Sequence, residues 1–193
     1  MNSAENIGFK VEGHVKIVSY DEDKSNEEVH LDKRNHIHKE NMSIAIARAL
    51  GGDDSGHVYS IHFGTGGATV DSSGTITYSD PNVTGSADLN TPLYSEVVDT
   101  KRGAPAGNFT GVRHLNGSLF SDVEIRCVID KGEPFGQPSS DNVSQTINGG
   151  YVFDEIALKT DDGLMLTHIV FNPIEKTANR VFEVVYTLRL RLV

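Results

Sequence analysis

The stretch VFEVVYTLRLRLV at residues 181–193 decides the fold, because nearly every second side chain along it is large and apolar. A period of two residues is typical of a β-strand with one buried face and one face in solvent. The opposite face carries charged side chains such as Glu183, Arg189 and Arg191. We therefore predict a strand whose apolar side belongs to the core. That side consists of Phe182, Val184, Tyr186, Leu188, Leu190 and Leu192.

Similar apolar alternation recurs elsewhere in the chain and predicts further strands. These strands are expected at residues 9–17, 29–37, 119–129, 151–158 and 164–171. The pair Asp162-Gly163, which separates the last two, is typical of the turn of a β-hairpin. Residues 42–50 break the pattern with good helix formers. Asn41 is expected to cap this helix, which should be buried against a sheet, and two glycines after Leu50 should end it.

This order of elements predicts a mainly β protein with one domain over residues 1–193. We expect an antiparallel β-sandwich, jelly-roll-like or immunoglobulin-like, with one short α-helix. Two long loops are expected at residues 51–117 and 131–149, and the first should contain short strands at 57–63 and 74–78. Long ordered loops usually serve a partner, so we expect these loops to be contact elements that neighbouring subunits order. The residues expected in the contact loop are Gly64, Gly66, Gly67, Tyr78, Leu93 and Tyr94.

The composition argues against several classes of partner. A formal net charge of −10 over 193 residues opposes binding to a phosphate backbone, so no nucleic-acid partner is expected. No run of 18 apolar residues is present and the first residues lack a signal-peptide pattern, so no membrane partner is expected. The single cysteine, Cys127, lies within an apolar alternation, which predicts a buried, unpaired thiol.

Two motifs invite a ligand, and each has a simpler interpretation. The run Gly64-Thr-Gly-Gly67 lacks the Lys-Ser or Lys-Thr pair of a phosphate loop, so we expect the glycines to serve backbone geometry. His36 and His38 would point to the same side of a strand, but zinc needs three or four ligands and no further ligand has a suitable spacing. We therefore expect no metal and no cofactor.

The sequence offers no constellation for catalysis. There is no Gly-x-Ser-x-Gly motif, and Cys127 lies in a core pattern that disfavours a thiolate. Asp154 and Glu155 are adjacent on a predicted strand, so we expect them to point to opposite faces and not to act together. No catalytic residue is assigned, and we predict a protein that is not an enzyme.

Six stretches of the sequence are informative when they are taken together and in order. They are GHVKI at 13–17, LDKRN at 31–35, ENMSIAIARAL at 40–50, IHFGTGG at 61–67, TPLY at 91–94 and YVFDEI at 151–156. In this order they resemble a family of virion structural proteins of tailed bacteriophages. The resemblance extends through residues 164–190 and so covers most of the chain. Each piece alone is short, and the order of the pieces carries the information.

The resemblance implies a structural part of the particle that binds without turnover. The expected place of the protein is the virion, after assembly in the host cytoplasm, and the expected partners are capsid, neck or tail subunits and further copies of the chain. Its position could be the neck or collar, the tail or the head surface. Two alternatives stay open: a capsid decoration protein, and a host-receptor or carbohydrate-binding module displayed on the particle.

Overall fold

The computed structural model describes residues 8–98, 111–134 and 151–193. These residues form twelve strands, one α-helix and a short 3-10 helix at Asp54–Gly56. The elements are, in chain order, β1 (Phe9–Tyr20), β2 (Glu28–Arg34), β3 (His36–Ile37), α1 (Lys39–Gly51), β4 (Ser60–Thr65), β5 (Ala68–Val70), β6 (Ile76–Tyr78), β7 (Thr91–Val97), β8 (Gly111–Asn116), β9 (Ser121–Ile129), β10 (Tyr151–Lys159), β11 (Met165–Lys176) and β12 (Val181–Leu192).

Two five-stranded antiparallel sheets share one hydrophobic core. The first sheet has the order β2-β1-β12-β9-β8 and the second has the order β3-β11-β10-β4-β7, while β5 and β6 form a separate hairpin. From β12, at the centre of the first sheet, Val184 and Tyr186 are fully buried. They join Phe63 of β4 and Ile156 of β10 in the same core cluster. The predicted mainly β, sandwich-like fold is confirmed.

The chain passes from the first sheet to the second at Asn35. The sequence predicts one returning strand at 29–37, but the structure divides it into β2 and β3, which belong to different sheets. The Asn35 backbone N–H donates to the carbonyl of Gly13 at 3.2 Å. A Cβ atom at Gly13 would collide with the Asn35 side chain, so the glycine makes room for the crossing.

A chain of buried and partly buried hydrogen bonds, which we call the inter-sheet relay, joins the two sheets through Asn35, Tyr186 and Thr167. The amide of Asn35 donates to the Tyr186 hydroxyl, which in turn donates to Thr167 Oγ1 at 2.7 Å. Thr167 Oγ1 also accepts the backbone N–H of Leu158 at 3.1 Å. Burial raises the pKa of Tyr186 above its usual range, so the phenol stays neutral and keeps its proton for Thr167.

Helix α1 is longer than predicted and has a different N-cap. His38 caps it, since Nδ1 of His38 accepts the backbone N–H of Asn41 at 3.2 Å. Asn41 instead donates its side-chain amide to the carbonyl of Met165, which anchors the helix to β11. Gly52 ends the helix in a left-handed conformation, as the glycine pair predicts. The helix packs against the sheet through the buried side chains of Met42 and Ala45, whereas Leu50 at its C-terminal end is 78% exposed.

The prediction that residues 51–117 form one long contact loop is wrong. This region contains β4 and β7, which are neighbours in the second sheet, and the described part of 111–117 belongs largely to β8. The short strand predicted at 57–63 overlaps β4, whereas β7 was not predicted because Pro92 and polar residues interrupt its apolar pattern. Most of the second predicted loop, 131–149, lies outside the described residues.

Replacing Tyr186 with Phe should lower the free energy of unfolding by about 1–3 kcal/mol, because Thr167 and Asn35 would lose a buried partner. Urea denaturation monitored by circular dichroism measures the loss. Tyr78→Phe is the matched control: Tyr78 is 49% exposed, so water can replace its partner and its loss should be well below that of Tyr186→Phe. Equal losses in the two variants would contradict a special role for the relay.

Candidate docking surface

The six predicted contact residues do not form one surface. Four of them, Gly64, Gly67, Leu93 and Tyr94, are buried in or beside β4 and β7 and have almost no surface to offer a partner. The prediction that these four residues belong to an exposed contact loop is therefore wrong, because β4 and β7 of the second sheet occupy this region. Gly66 and Tyr78 are exposed, and a contact role for these two stays a prediction.

The glycine run folds around a carboxylate of its own chain. Asp154 of β10 accepts the backbone N–H groups of Gly66, Gly67 and Ala68 at 3.2, 2.9 and 3.1 Å. Successive backbone amides that converge in this way form an anion-binding concavity, and here Asp154 fills it. Gly66 has a φ of 94°, which confirms that backbone geometry requires glycine there. The same amides are not free to bind a phosphate.

Glu155, the next residue, holds a second segment. Its carboxylate accepts the backbone N–H and the side-chain amide of Asn90 at 3.1 and 2.8 Å, the N–H of Thr91 at 3.0 Å, and Nε2–H of His168 at 3.1 Å. A Cβ atom at Gly64 would lie 2.6 Å from this carboxylate, so the close approach requires glycine. Glu155 thereby fixes the chain at the point where it enters β7.

Residues 79–90, which we call the covering segment, pack on the outer face of the second sheet. Leu89 of this segment is buried against Ala157 and Met165. Asp88 forms an ion pair with Lys159 at 2.6 Å. Part of the predicted contact loop is therefore held by its own domain.

A β-bulge places Asp154 and Glu155 between the same two core residues. The core-facing side chains of β10 step from Phe153 to Ile156, three positions instead of two, and the register with β11 shifts at this point. The expectation that the two carboxylates point to opposite faces is therefore corrected. Burial, the dominant effect, raises the pKa of Asp154, and the neighbouring charge of Glu155 acts in the same direction.

This acidic pair is unsuited to catalysis. The side chains of Glu155 and His168 are fully buried, so a substrate cannot reach them. Nδ1 of His168 accepts the backbone N–H of Asn82 at 2.8 Å, which leaves the ring proton on Nε2 for Glu155. Both ring nitrogens are thus occupied. The chemistry of the cluster is to hold backbone segments in place.

The other residues considered from sequence have structural partners. His38 caps α1 with one ring nitrogen and lies 3.1 Å from the carbonyl of Gly85 with the other. His36 pairs with His168 in the β3–β11 ladder. Among the described residues, no three His, Cys, Asp or Glu side chains are grouped to hold a metal ion. Cys127 is fully buried, as predicted.

One end of the first sheet extends beyond the sheet that covers it. β1 and β12 have 12 residues each; in the second sheet β11 is equally long, but β10 and β4 have only 9 and 6. The apolar face of β12 therefore leaves the core before the strand ends: Leu188 is buried, but Leu192 is 60% exposed. The prediction that all six alternating residues are core is wrong for Leu192, and Leu190 is only half-buried.

The exposed strand ends line what we call the uncovered groove. Phe9, paired with Leu192 across β1 and β12, is 60% exposed and lies where two cavities of about 560 and 680 Å³ meet. The first cavity lies between β1 and α1, and the second beside the β8–β9 turn. Gly8 and Val193 exchange backbone hydrogen bonds of 2.8 and 2.9 Å at its rim. The other apolar lining residues are Val11, Ile37, Met42, Ile46, Leu119, Phe120, Val123 and Leu190.

Charged side chains lie at the edge of the uncovered groove. Lys39 of α1 lines it, whereas Lys10 and Arg191 are neighbours across β1 and β12 and project from the opposite, outer face of the sheet. On that outer face the Glu12 carboxylate lies 3.0 Å from Lys10 and accepts a hydrogen bond from Arg191. The hydrogen bond from Lys10 and that from Arg191 lower the pKa of Glu12 to about 2. The surface of the groove itself is therefore mainly apolar.

Replacing Glu155 with Gln should destabilise the protein by about 2–4 kcal/mol, because the new NH₂ group would face the donors of Asn90 and Thr91. Urea denaturation gives the loss, and hydrogen exchange should show faster exchange at these two backbone amides. Glu175→Gln, the same change at an exposed position of β11, should be nearly neutral. Unchanged protection at Asn90 and Thr91 would contradict the anchoring role of Glu155.

His62 should make stability depend on pH. Burial, with a further contribution from Lys159, lowers its pKa to about 4 in the folded state, from about 6.5 in the unfolded chain. The unfolded chain therefore takes up the proton first, and stability is lost as pH falls from 6.5 to 4. We expect the contribution to reach about 1–3 kcal/mol for this half-buried ring. The contribution of His62 is measured by comparing the unfolding free energies of the wild type and of His62→Gln at pH 7 and pH 4. An equal loss of stability between these pH values in both proteins would contradict the prediction.

Comparison with known proteins gives no relative. No protein-family model, no curated protein and no solved structure matches this chain. In the described parts of the chain, no helix is long and apolar enough to cross a membrane.

Proposed function

We propose that this chain is a structural subunit that works by binding, and that it belongs to the virion of a tailed bacteriophage. The observation that carries the binding role is the uncovered groove, where large apolar side chains are left exposed by ordered, fully paired strands. The residues at its centre, Phe9 and Leu192, are both 60% exposed. Contiguous exposed apolar surface on an ordered scaffold is a usual mark of an interaction site.

The rigidity of the groove supports an assembly role. Phe9 and Leu192 are opposite one another in a continuous β1–β12 ladder that runs from Phe9 to Tyr20. A partner that binds there does not have to order the strands first, so little conformational entropy opposes binding. The acidic pair Asp154 and Glu155 supports the same role indirectly, since its oxygens hold backbone and are not presented to a substrate.

The assignment to a phage particle depends on the sequence resemblance alone. The stretches that carry it lie in structurally demanding positions: Asn35 at the sheet crossing, Gly64 and Gly67 against the second sheet, and Asp154 and Glu155 at the bulge. On this proposal the chain docks at the neck, tail or head and holds neighbouring subunits. A capsid decoration role would use the same groove.

Leu192→Glu should abolish incorporation into particles while leaving the fold intact, because an acidic group in the apolar groove would lose its hydration on docking. Particles from cells that supply the variant in place of the wild type are purified and probed by mass spectrometry and immunogold labelling. Val29→Glu is the matched control, since Val29 is 53% exposed on β2, away from the groove, and should be incorporated normally.

Absence of the wild-type chain from purified particles would overturn the virion assignment. A glycan array separates the remaining alternative: binding of a defined sugar by the purified chain would favour a receptor-binding module, and a structural subunit should give no signal. Immunogold position on intact particles distinguishes the neck, the tail and the head surface.

A further inference from the structure

The covering segment, residues 79–90, is held to the second sheet mainly by polar contacts. It contains no helix or strand, and Leu89 is its only buried residue. Segments with few buried apolar contacts open at a lower free energy than the rest of a domain. The polar contacts therefore decide under which conditions this segment opens.

Two buried histidine rings lie directly beneath the segment. His168 of β11 is fully buried, and His38, the N-cap of α1, is 1% exposed. Nδ1 of His168 accepts the backbone N–H of Asn82 at 2.8 Å. Nε2 of His38 donates to the carbonyl of Gly85 at 3.1 Å. The backbone of the segment thus closes over both rings.

Both rings are neutral while the segment is closed. A histidine nitrogen that accepts a hydrogen bond carries no proton, so each ring has only the proton on its other nitrogen. In His168 the accepting nitrogen faces Asn82. In His38 it faces the backbone N–H of Asn41 at 3.2 Å. A second proton on either ring would place two N–H groups opposite one another.

The groups that face His168 act in opposite directions. From β10, the carboxylate of Glu155 lies 3.1 Å from Nε2, and its charge favours a protonated ring. From β3, the exposed His36 is opposite His168 in the ladder. From the covering segment, the N–H of Asn82 excludes a proton from Nδ1. When the segment moves away, Glu155 remains to stabilise the protonated ring.

The groups that face His38 also exclude a second proton in the closed form. Lys39 and Glu40 follow it in the first turn of α1, and both are exposed. From β11, the uncharged carbonyl of Leu166 accepts the backbone N–H of His38 at 2.9 Å. A cation at a helix N-terminus is unfavourable, because it meets the positive end of the helix dipole. The ring can leave the helix only by giving up its contact with the Gly85 carbonyl.

A third histidine, His62 of β4, supports the same direction. It lies on the same face of the second sheet as His168, since both are opposite Ala157 in the ladders. Burial lowers the pKa of His62 to about 4, with a further contribution from Lys159, while the charge of Asp88 acts against them. Exposed histidines have a pKa of about 6.5. Exposure of these rings is therefore coupled to proton uptake, so the closed form loses stability as pH falls from 6.5 towards 4.

Two other anchors of the covering segment keep their form in this pH range. Asp88 forms an ion pair with Lys159 at 2.6 Å. Burial acts to raise the pKa of Asp88, but its hydrogen bonds, above all that from Lys159, outweigh burial and lower the pKa overall. Glu155 accepts the N–H of Asn90, and protonation of His168 does not remove this contact. The end of the segment next to β7 therefore stays attached.

From this arrangement we propose that acidification opens the covering segment by protonating the histidines beneath it. The segment moves away from the sheet between residues 81 and 87, while Asp88 and Asn90 tether its far end. The open form replaces a covered, neutral surface with a positively charged one. The inference goes beyond the proposed structural function and does not depend on it.

Hydrogen exchange on the wild-type chain, followed by NMR from about pH 7.5 to pH 5, tests the opening. The readout is the protection factor, which removes the intrinsic pH dependence of exchange. The protection factor of the Asn82 amide should fall by at least about ten-fold per pH unit below pH 6.5, because opening takes up at least one proton. The amides of Asn90, Thr91 and β10 should keep their protection. An unchanged value at Asn82, or an equal fall at Asn82, Asn90 and β10, would overturn the proposal.

The nitrogen spectrum of the histidine rings in the same samples identifies the group that titrates. Nδ1 of His168 should be unprotonated at neutral pH, and its protonation should share a midpoint with the loss of protection at Asn82. An Nδ1 that stays unprotonated while Asn82 loses protection would overturn the role of His168. This measurement needs no substitution, so it decides even where a variant fails to fold.

His168→Asn removes the titrating ring and keeps an oxygen that can accept the Asn82 N–H. The fall in Asn82 protection should become shallower by about ten-fold per pH unit, because one proton fewer is taken up. His114→Gln, at an exposed position of β8, is the matched control and should behave like the wild type. A folded His168→Asn variant with the wild-type pH dependence would also overturn the proposal.

Discussion

Two adjacent carboxylates of β10, Asp154 and Glu155, are buried beneath segments that cover the second sheet. The path of the chain around them follows from the need to supply their oxygens with hydrogen-bond donors. A buried carboxylate is costly unless donors surround it, and here the donors are mostly backbone amides. Asp154 holds the glycine turn that precedes β5, and Glu155 holds the chain at the entry to β7. The bulge in β10 lets both do so from consecutive positions. Both ends of the segment between β4 and β7 are therefore anchored on this pair.

The strands with regular alternation, such as β12 and β1, could be predicted from their period of two residues. The short strands predicted at 57–63 and 74–78 overlap β4 and β6, whereas β5 and β7 were not predicted. β7 contains a proline, so it resembles a loop until its partner strand is known. The partner of Asn90 and Thr91 is Glu155, 65 and 64 residues away, and no local pattern carries that information. For the same reason, the sequence does not show that residues 79–90 pack on the second sheet.

The apolar alternation of β12 belongs to the docking surface, but the sequence does not show which of these apolar residues the opposite sheet covers. The alternation in β12 continues through Leu190 and Leu192 without change, so sequence alone assigns them to the core. The extent of the opposite sheet decides whether these last residues are covered. Alternation within one strand shows which side chains share a face. It does not show whether another layer of the structure covers that face, so the exposed end of β12 could not be predicted from the sequence.

The backbone pairing of Gly8 with Val193 has a practical consequence for handling the protein. A peptide attached after Val193 starts at the rim of the groove, within reach of Phe9 and Leu192. An affinity tag at that position would compete with a natural occupant, and a charged one would be attracted or repelled by Lys10 and Arg191. The turn at Asp162-Gly163, which joins β10 to β11, is exposed and offers a site for a label that leaves the groove unobstructed.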